Sequence, residues 1–327
     1  MPPDPSAPAG DQPLFPPFDG PRAFDQIRAD LHAFRPAILA VCARHGLSTG
    51  GLSAFANGTN VVVANDAEQI IKLFPPFLRH QFEAERLSLA RFHTNIPAAT
   101  PELLWQADLD GWPYLVMSRL PGRTLEEAWP AMDGAERVAA LARIGEIMRA
   151  AHALPTGGLE GIDLGWDAFV ERQIAGCEAR HRRMGLPEHL VSQIPSYLES
   201  ARPLLPRSVV PVLLTGEYTP ENLLVTQTDE GWRVTGMIDF ADACLGPREY
   251  DLLGPCLFLA AGSAERQRAL LGSYGYDLTA PGPELRRRLM ALALLHRYSN
   301  LKFQLRLDGW DSQVSSLSEL EQRIWPL

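Results

Sequence analysis

Cysteine is scarce, and the four present, Cys42, Cys177, Cys244 and Cys256, are scattered without C-x-x-C spacing. Neither a zinc site nor a disulfide framework is indicated. The chain has no uninterrupted apolar stretch long enough to span a bilayer, and no basic segment followed by an apolar run opens it, so a cytoplasmic location is expected. Positive charge is in deficit: 30 Lys and Arg face 39 Asp and Glu, a net charge of −9. Such a balance attracts neither nucleic acid nor an anionic membrane surface, and neither is expected as a partner. There is no G-x-x-x-x-G-K-[ST] loop, no G-x-S-x-G elbow and no H-E-x-x-H helix, which sets aside three common hydrolytic chemistries. No repeat of fixed period suggests a solenoid. The eight histidines are dispersed, with none between 212 and 252. What remains, 46% hydrophobic and 21% charged residues over 327 positions, is a globular composition able to bury a sizeable core as one large unit or two lobes.

Residues 1–21 carry eight prolines and read as a disordered Pro-rich tail. Ala23–Arg44 has helical character, with a break expected near Pro36 and a stop at Gly46. Three β-like runs follow, Gly51–Ala56, Asn60–Asn65 and Glu68–Phe74, separated by the turn residues Asn57-Gly58-Thr59 and Asn65-Asp66. Leu78–Phe92 has helical periodicity, and Leu103–Ala107 with Tyr114–Met117 flank the turn Asp108–Gly111. From Arg123 onward the pattern is mostly helical. Ala135–Ala153 has a long apolar stripe, 156–206 is a helical insert, and the longest helix near the end is expected over Glu284–Leu307.

The chemistry is concentrated in Leu214-Thr215-Gly216-Glu217-Tyr218-Thr219-Pro220-Glu221-Asn222-Leu223-Leu224-Val225 and in Gly236-Met237-Ile238-Asp239-Phe240. An acid, an amide and a second acid lie on two loops joined by a polar hairpin. Phosphoryl transfer from a nucleotide needs such a set: a carboxylate for the acceptor's hydroxyl proton, and an Asn and an Asp for the metal ions that neutralise the phosphates. The kinase pattern is H-R-D-x-x-x-x-N followed by D-F-G; Glu217 to Asn222 keeps its interval, and Asp239-Phe240 follows an apolar strand. The chain thus resembles the aminoglycoside phosphotransferase and choline kinase-like family, whose loop reads His-Gly-Asp-x-x-x-x-Asn. Thr215 stands where that family has His, and Glu217 where it has Asp.

The resemblance implies an α+β, two-lobed protein kinase-like fold, with a nucleotide-binding lobe over 22–120 and a helical catalytic and substrate lobe over 121–327. It implies ATP and Mg²⁺ as cofactors and a small-molecule hydroxyl compound as acceptor. Glu217 would act on the acceptor's hydroxyl, and Asn222 and Asp239 would hold the metal. Lys72 would grip the phosphates, fixed by Glu85, with Glu83 as the competing choice; read alone, Lys72 could equally be an exposed edge-strand lysine. Gly58, Thr59 and Asn60 match the family's phosphate loop, and the main chains of Ser118 and Leu120 its adenine-binding hinge. Asp251, in Tyr250-Asp251-Leu252, would brace the catalytic loop, or cap the helix that follows it. Asp163, Asp167 and Glu171 beside Trp166 either receive a cationic acceptor or form the acidic face of an ordinary amphipathic helix. Only a short run separates Asp239-Phe240 from Gly246, too little for the activation segment of a protein kinase. The alternative from another class is a catalytically silent nucleotide-binding regulator.

Overall fold

The structure, a computed structural model, describes residues 13–279 and 282–327. Contacts divide the chain into two compact units, one comprising residues up to Phe82 with Glu102–Arg119, the other Glu83–Pro101 with Leu120–Leu327.

The first unit holds helices α1 (Gly20–Ile27) and α2 (Leu31–His45) and an antiparallel five-stranded sheet. Its strands are β1 (Ser53–Ala54), β2 (Val61–Ala64), β3 (Gln69–Leu73), β4 (Leu103–Leu109) and β5 (Trp112–Ser118), in the order β1-β2-β3-β5-β4. The helical break falls at Asp30, not Pro36. The Asp30 carboxylate accepts from the N–H groups of His32 and Ala33 and starts a new helix, whereas Pro36 lies inside that helix, where its missing N–H forgoes one i→i−4 bond without ending the helix. Gly46 ends α2 in the left-handed conformation, as expected. Asp110 and Gly111 both have positive φ and close the β4–β5 hairpin.

Residues 1–12 of the segment expected to be a tail lie outside the described residues. Its last part packs: Leu14, Phe15 and Phe18 cover the core of Phe24, Phe34, Ile38 and Trp112, and Phe15 stacks on the Trp112 indole with ring centres 4.2 Å apart. Proline density masked three large apolar side chains whose burial offsets the ordering of the backbone.

The second unit contains most of α3 (Arg79–Phe92), then β6 (Arg123–Thr124), α4 (Gly134–His152), α5 (Trp166–Arg183) and α6 (Ile194–Ala201). Four more strands follow, β7 (Val212–Leu214), β8 (Leu223–Thr228), β9 (Gly231–Met237) and β10 (Cys244–Gly246), and then helices α7 (Glu249–Phe258), α8 (Ala264–Tyr274), α9 (Pro283–Leu295) and α10 (Leu317–Ile324). Asp133 and Glu136 form a reciprocal capping box at the start of α4. The expected helix over Glu284–Leu307 stops at Leu295, because the chain turns to extended geometry at His296 and the Arg297 N–H is taken by the Tyr250 hydroxyl at 2.9 Å. Among the described residues no helix is long and apolar enough to cross a membrane.

Candidate active site

Two short antiparallel pairings set up the site. Strand β7 pairs with β10, Leu214 opposite Cys244, and β8 pairs with β9, Leu223 opposite Met237. The second ladder continues one step outward, where the Ile238 N–H donates to the Asn222 carbonyl at 2.9 Å. Asn222 and Asp239 therefore emerge from the same end of one hairpin. The loop 215–222 starts where β7 ends, and 238–243 leads into β10.

These loops touch at Gly216. Its φ is +80°, and a Cβ there would lie 2.2 Å from the Asp242 carbonyl oxygen, so glycine is required twice over, for the left-handed backbone and for the close approach. Asp251 of α7 grips the same corner. One carboxylate oxygen accepts from the Thr215 N–H at 2.9 Å and the Thr215 hydroxyl at 3.3 Å, the other from the Gly216 N–H at 3.0 Å. The bracing arrangement is thus present, and Thr215, in the slot of the family's histidine, contributes its hydroxyl to it. An imidazole is supplied from elsewhere. His152, at the end of α4, sets Nε2 3.2 Å from Asp251 and Nδ1 2.9 Å from the Tyr274 hydroxyl. The absence of histidine between 212 and 252 concealed this, although a histidine ending a buried helical stripe was visible in the sequence.

Glu217 is half-buried, and its Oε2 accepts from the Asn222 amide at 3.2 Å. Burial raises its carboxyl pKa to about 8, reinforced by the negative charges of Asp242 and Asp239 and opposed by Arg297 and the Asn222 bond. Asp239 has φ +63° and accepts from the Ala241 N–H at 3.2 Å. The next residue, Phe240, is fully buried, its ring 5.1 Å from Phe92 of α3. Sequence reasoning missed Asp242, Arg297 and Tyr298. The Tyr298 hydroxyl donates to Asp242 Oδ1 at 2.7 Å, and the Arg297 guanidinium lies 3.4 Å from the same oxygen and also donates to the Asp242 carbonyl. The early end of α9 brings these side chains to the loop, and a periodic apolar pattern gives no warning of it.

Among the described residues no group of three or more His, Cys, Asp or Glu side chains is arranged to hold a metal ion. Magnesium does not need one, since it takes one or two protein carboxylates and completes its shell with water and phosphate oxygens. Here the Asn222 amide nitrogen is committed to Glu217, so a metal ion would be met by its Oδ1. The donor set fits Mg²⁺.

In the first unit, Lys72 is 4% exposed on β3, between Val62 of β2 and Leu115 of β5. An exposed edge-strand lysine is therefore ruled out. Glu85 is 1% exposed, while Glu83 is at the surface, paired with Arg86 at 2.5 Å. The side chains of Thr59 and Asn60 are both tied to Gln81, whereas Gly58, with φ +99°, faces open space. The Ser118 N–H is committed to the Glu102 carbonyl at 3.0 Å, so of its main-chain groups only the carbonyl is left for a ligand. Leu120 falls in the second unit. Trp166 is buried, donating to the Pro206 carbonyl, and Glu171 is paired with Arg202 and Arg207. Glu171 is thereby satisfied within the protein, while Asp167 lies 4.0 Å from Arg207 and Asp163 accepts from the Gly165 N–H.

The sequence model of the phosphotransferase enzyme family (APH) matches residues 52–292. Among solved structures, the GDP complex of aminoglycoside 2'-phosphotransferase-IIIa is similar at TM-score 0.64 and 16% identity, covering 88% of this chain and 97% of that one. The streptomycin–ATP ternary complex of APH(2")-IIa matches at TM-score 0.57 and 15% identity, over 80% and 91%. Macrolide 2'-phosphotransferase MphH from Brachybacterium faecium matches at TM-score 0.53 and 21% identity, over 79% and 90%. At such identities the likeness shows a shared kinase-like fold.

Proposed function

The chain belongs to the phosphotransferase enzyme family, and from that premise we propose that it moves the γ-phosphoryl group of ATP to a hydroxyl group of a small molecule. The observation that carries this reading is the braced loop, which holds Glu217 hydrogen-bonded to Asn222 beside the hairpin end that carries Asp239. Glu217 orients the acceptor and takes its hydroxyl proton as the new oxygen–phosphorus bond forms and the β–γ bridge bond breaks, releasing ADP. Its raised proton affinity suits a base working near neutral pH. Asn222 and Asp239 would hold Mg²⁺, which neutralises phosphate charge when bound. Lys72 and Glu85 serve the phosphates, the backbone of Gly58, Thr59 and Asn60 covers them, and the main chains of Ser118 and Leu120 bind the adenine. One similar structure holds ATP and another GDP, so GTP is the nucleotide to compare.

A catalytically silent nucleotide-binding regulator is the second reading, favoured by the longer arm of Glu217 in a slot where a misplacement of about 1 Å costs on the order of 10²-fold. Nucleoside-diphosphate release from Mg-ATP or Mg-GTP, measured over a panel of hydroxyl compounds, separates the two. Turnover that falls about 10²-fold or more in Glu217→Ala and survives in part in Glu217→Asp supports the enzyme. Nucleotide binding with no turnover on any acceptor supports the regulator.

A further inference from the structure

A cavity of about 170 Å³ opens against the catalytic loop, with Glu217 and Thr219 on one wall and Leu257 and Phe258 of α7 on another. His296, Tyr298 and Phe303 complete it, and two of these aromatics also form an exposed rim, Tyr298 49% and Phe303 64% accessible. Sites for drug-sized ligands run to roughly 300–1,000 Å³. This cavity therefore takes the hydroxyl-bearing end of an acceptor whose remainder lies over the rim.

The charges say what kind of molecule that is. Among the described residues of the lining, the acids are Glu217 and Asp251. Asp251 is spent on the loop and His152, and Glu217 is needed at the reacting hydroxyl. A polycation would find no further carboxylate in the wall. A single cation could use aromatic faces instead, but two of the rings, Phe258 and Tyr298, already carry a guanidinium of the protein. The Arg306 guanidinium sits 5.6 Å from the Phe258 ring centre and Arg297 5.1 Å from that of Tyr298, while His296 stacks on Tyr250 at 4.4 Å. These arginines do not select for an anion either, since Arg306 is paired with Glu126 at 2.8 Å and Arg297 with Asp242 at 3.4 Å. His296 is held neutral, its pKa lowered to about 3 by burial first and then by Arg297 and Arg180.

We infer that the acceptor is an uncharged alcohol with an apolar ring or chain, its hydroxyl at Glu217 and its apolar body against Tyr298 and Phe303. This deepens the phosphotransferase reading and rests on it. The acceptor oxygen bonds to the γ-phosphorus, the β–γ bridge bond breaks to leave ADP, and the hydroxyl proton passes to Glu217.

The test uses the full chain and a matched pair of probes, phenyl β-glucoside and its 4-aminomethyl derivative, which differ by one cationic group, with kanamycin as a polycation. Binding is measured by calorimetry, and transfer from Mg-ATP by ³¹P NMR. The expected result is neutral-probe binding about tenfold or more tighter than that of either cation, weakened about fivefold by Phe303→Ala. Arg306→Gln, which clears the cation from the Phe258 face, should narrow the neutral-over-cationic preference by about threefold. Equal or tighter binding of a cationic probe, no binding of the neutral one, or no effect of Phe303→Ala overturns the inference. Binding that follows this pattern without transfer of phosphate upholds the ligand class and removes the reaction assigned to Glu217.

Discussion

Asp242 and Asp239 raise the proton affinity of Glu217, and Arg297 lowers it. In the metal-free protein this arrangement has a thermodynamic consequence. A carboxyl whose pKa is raised on folding, here from 4.5 to about 8 and chiefly by burial, favours the folded state while protonated. That contribution is complete below the unfolded value and is lost as pH rises through the folded one. Glu217→Gln keeps the neutral form at every pH. Its melting temperature should exceed the parent's by about 3 °C or more at pH 9 and match it at about pH 4, below the unfolded value, as followed by calorimetry in EDTA; parallel curves would contradict the assigned proton affinity. Gly216 makes a different demand. In Gly216→Ala the methyl group meets the Asp242 carbonyl in a backbone region that L-residues avoid. A loss of about 2–4 kcal/mol in denaturant unfolding is expected, with the loop displaced from Asp251 and turnover lost with it.

Elements were legible in the sequence where their signals are local, and not where a distant group decides. The β4–β5 hairpin was readable from Asp110-Gly111, the end of α2 from Gly46, and the β8–β9 hairpin joining the Asn222 and Asp239 loops from its polar middle. The end of α9 was not, because nothing near Leu295 breaks helical periodicity and the partner that takes the Arg297 N–H is Tyr250, 47 residues away in sequence. The same distance hid Arg297 and Tyr298 as partners of Asp242, and His152 as the imidazole beside Asp251. Phe15 and Phe18 were obscured differently, by prolines whose usual meaning is disorder. The α9 end has its own test. Tyr250→Phe removes the hydroxyl that accepts from Arg297 and leaves that N–H without its partner, at a cost of about 1–3 kcal/mol. Because residues 296–298 then lose their anchor, the acceptor KM should rise several-fold while the affinity for Mg-ATP stays unchanged in equilibrium titration. A fall in nucleotide affinity instead would place Tyr250 on the wrong side of the chemistry.

At the scale of the whole molecule, family membership and the kinase-like fold agree with an acidic chain whose candidate chemistry is divided by sequence between two compact units. The first carries a buried lysine in the middle of a sheet. The second carries the acids, the amide and the cavity. Such a division suits a reaction with little covalent chemistry, in which catalysis is mostly positioning and charge neutralisation. Its acceptor wall is aromatic and already furnished with guanidinium groups, so membership of a family that includes aminoglycoside enzymes does not by itself make an aminoglycoside the substrate.

The most direct measurement is the affinity for ATP, by titration calorimetry with Mg²⁺ and with EDTA, on the parent chain and on Asp239→Ala. If Asn222 and Asp239 are the metal site, the parent binds ATP about tenfold or more tighter with Mg²⁺ than without it, and Asp239→Ala abolishes most of that gain while keeping its metal-free affinity. Should the two proteins respond to Mg²⁺ identically, the loop after β9 holds no metal and the phosphotransferase site lies elsewhere or does not exist.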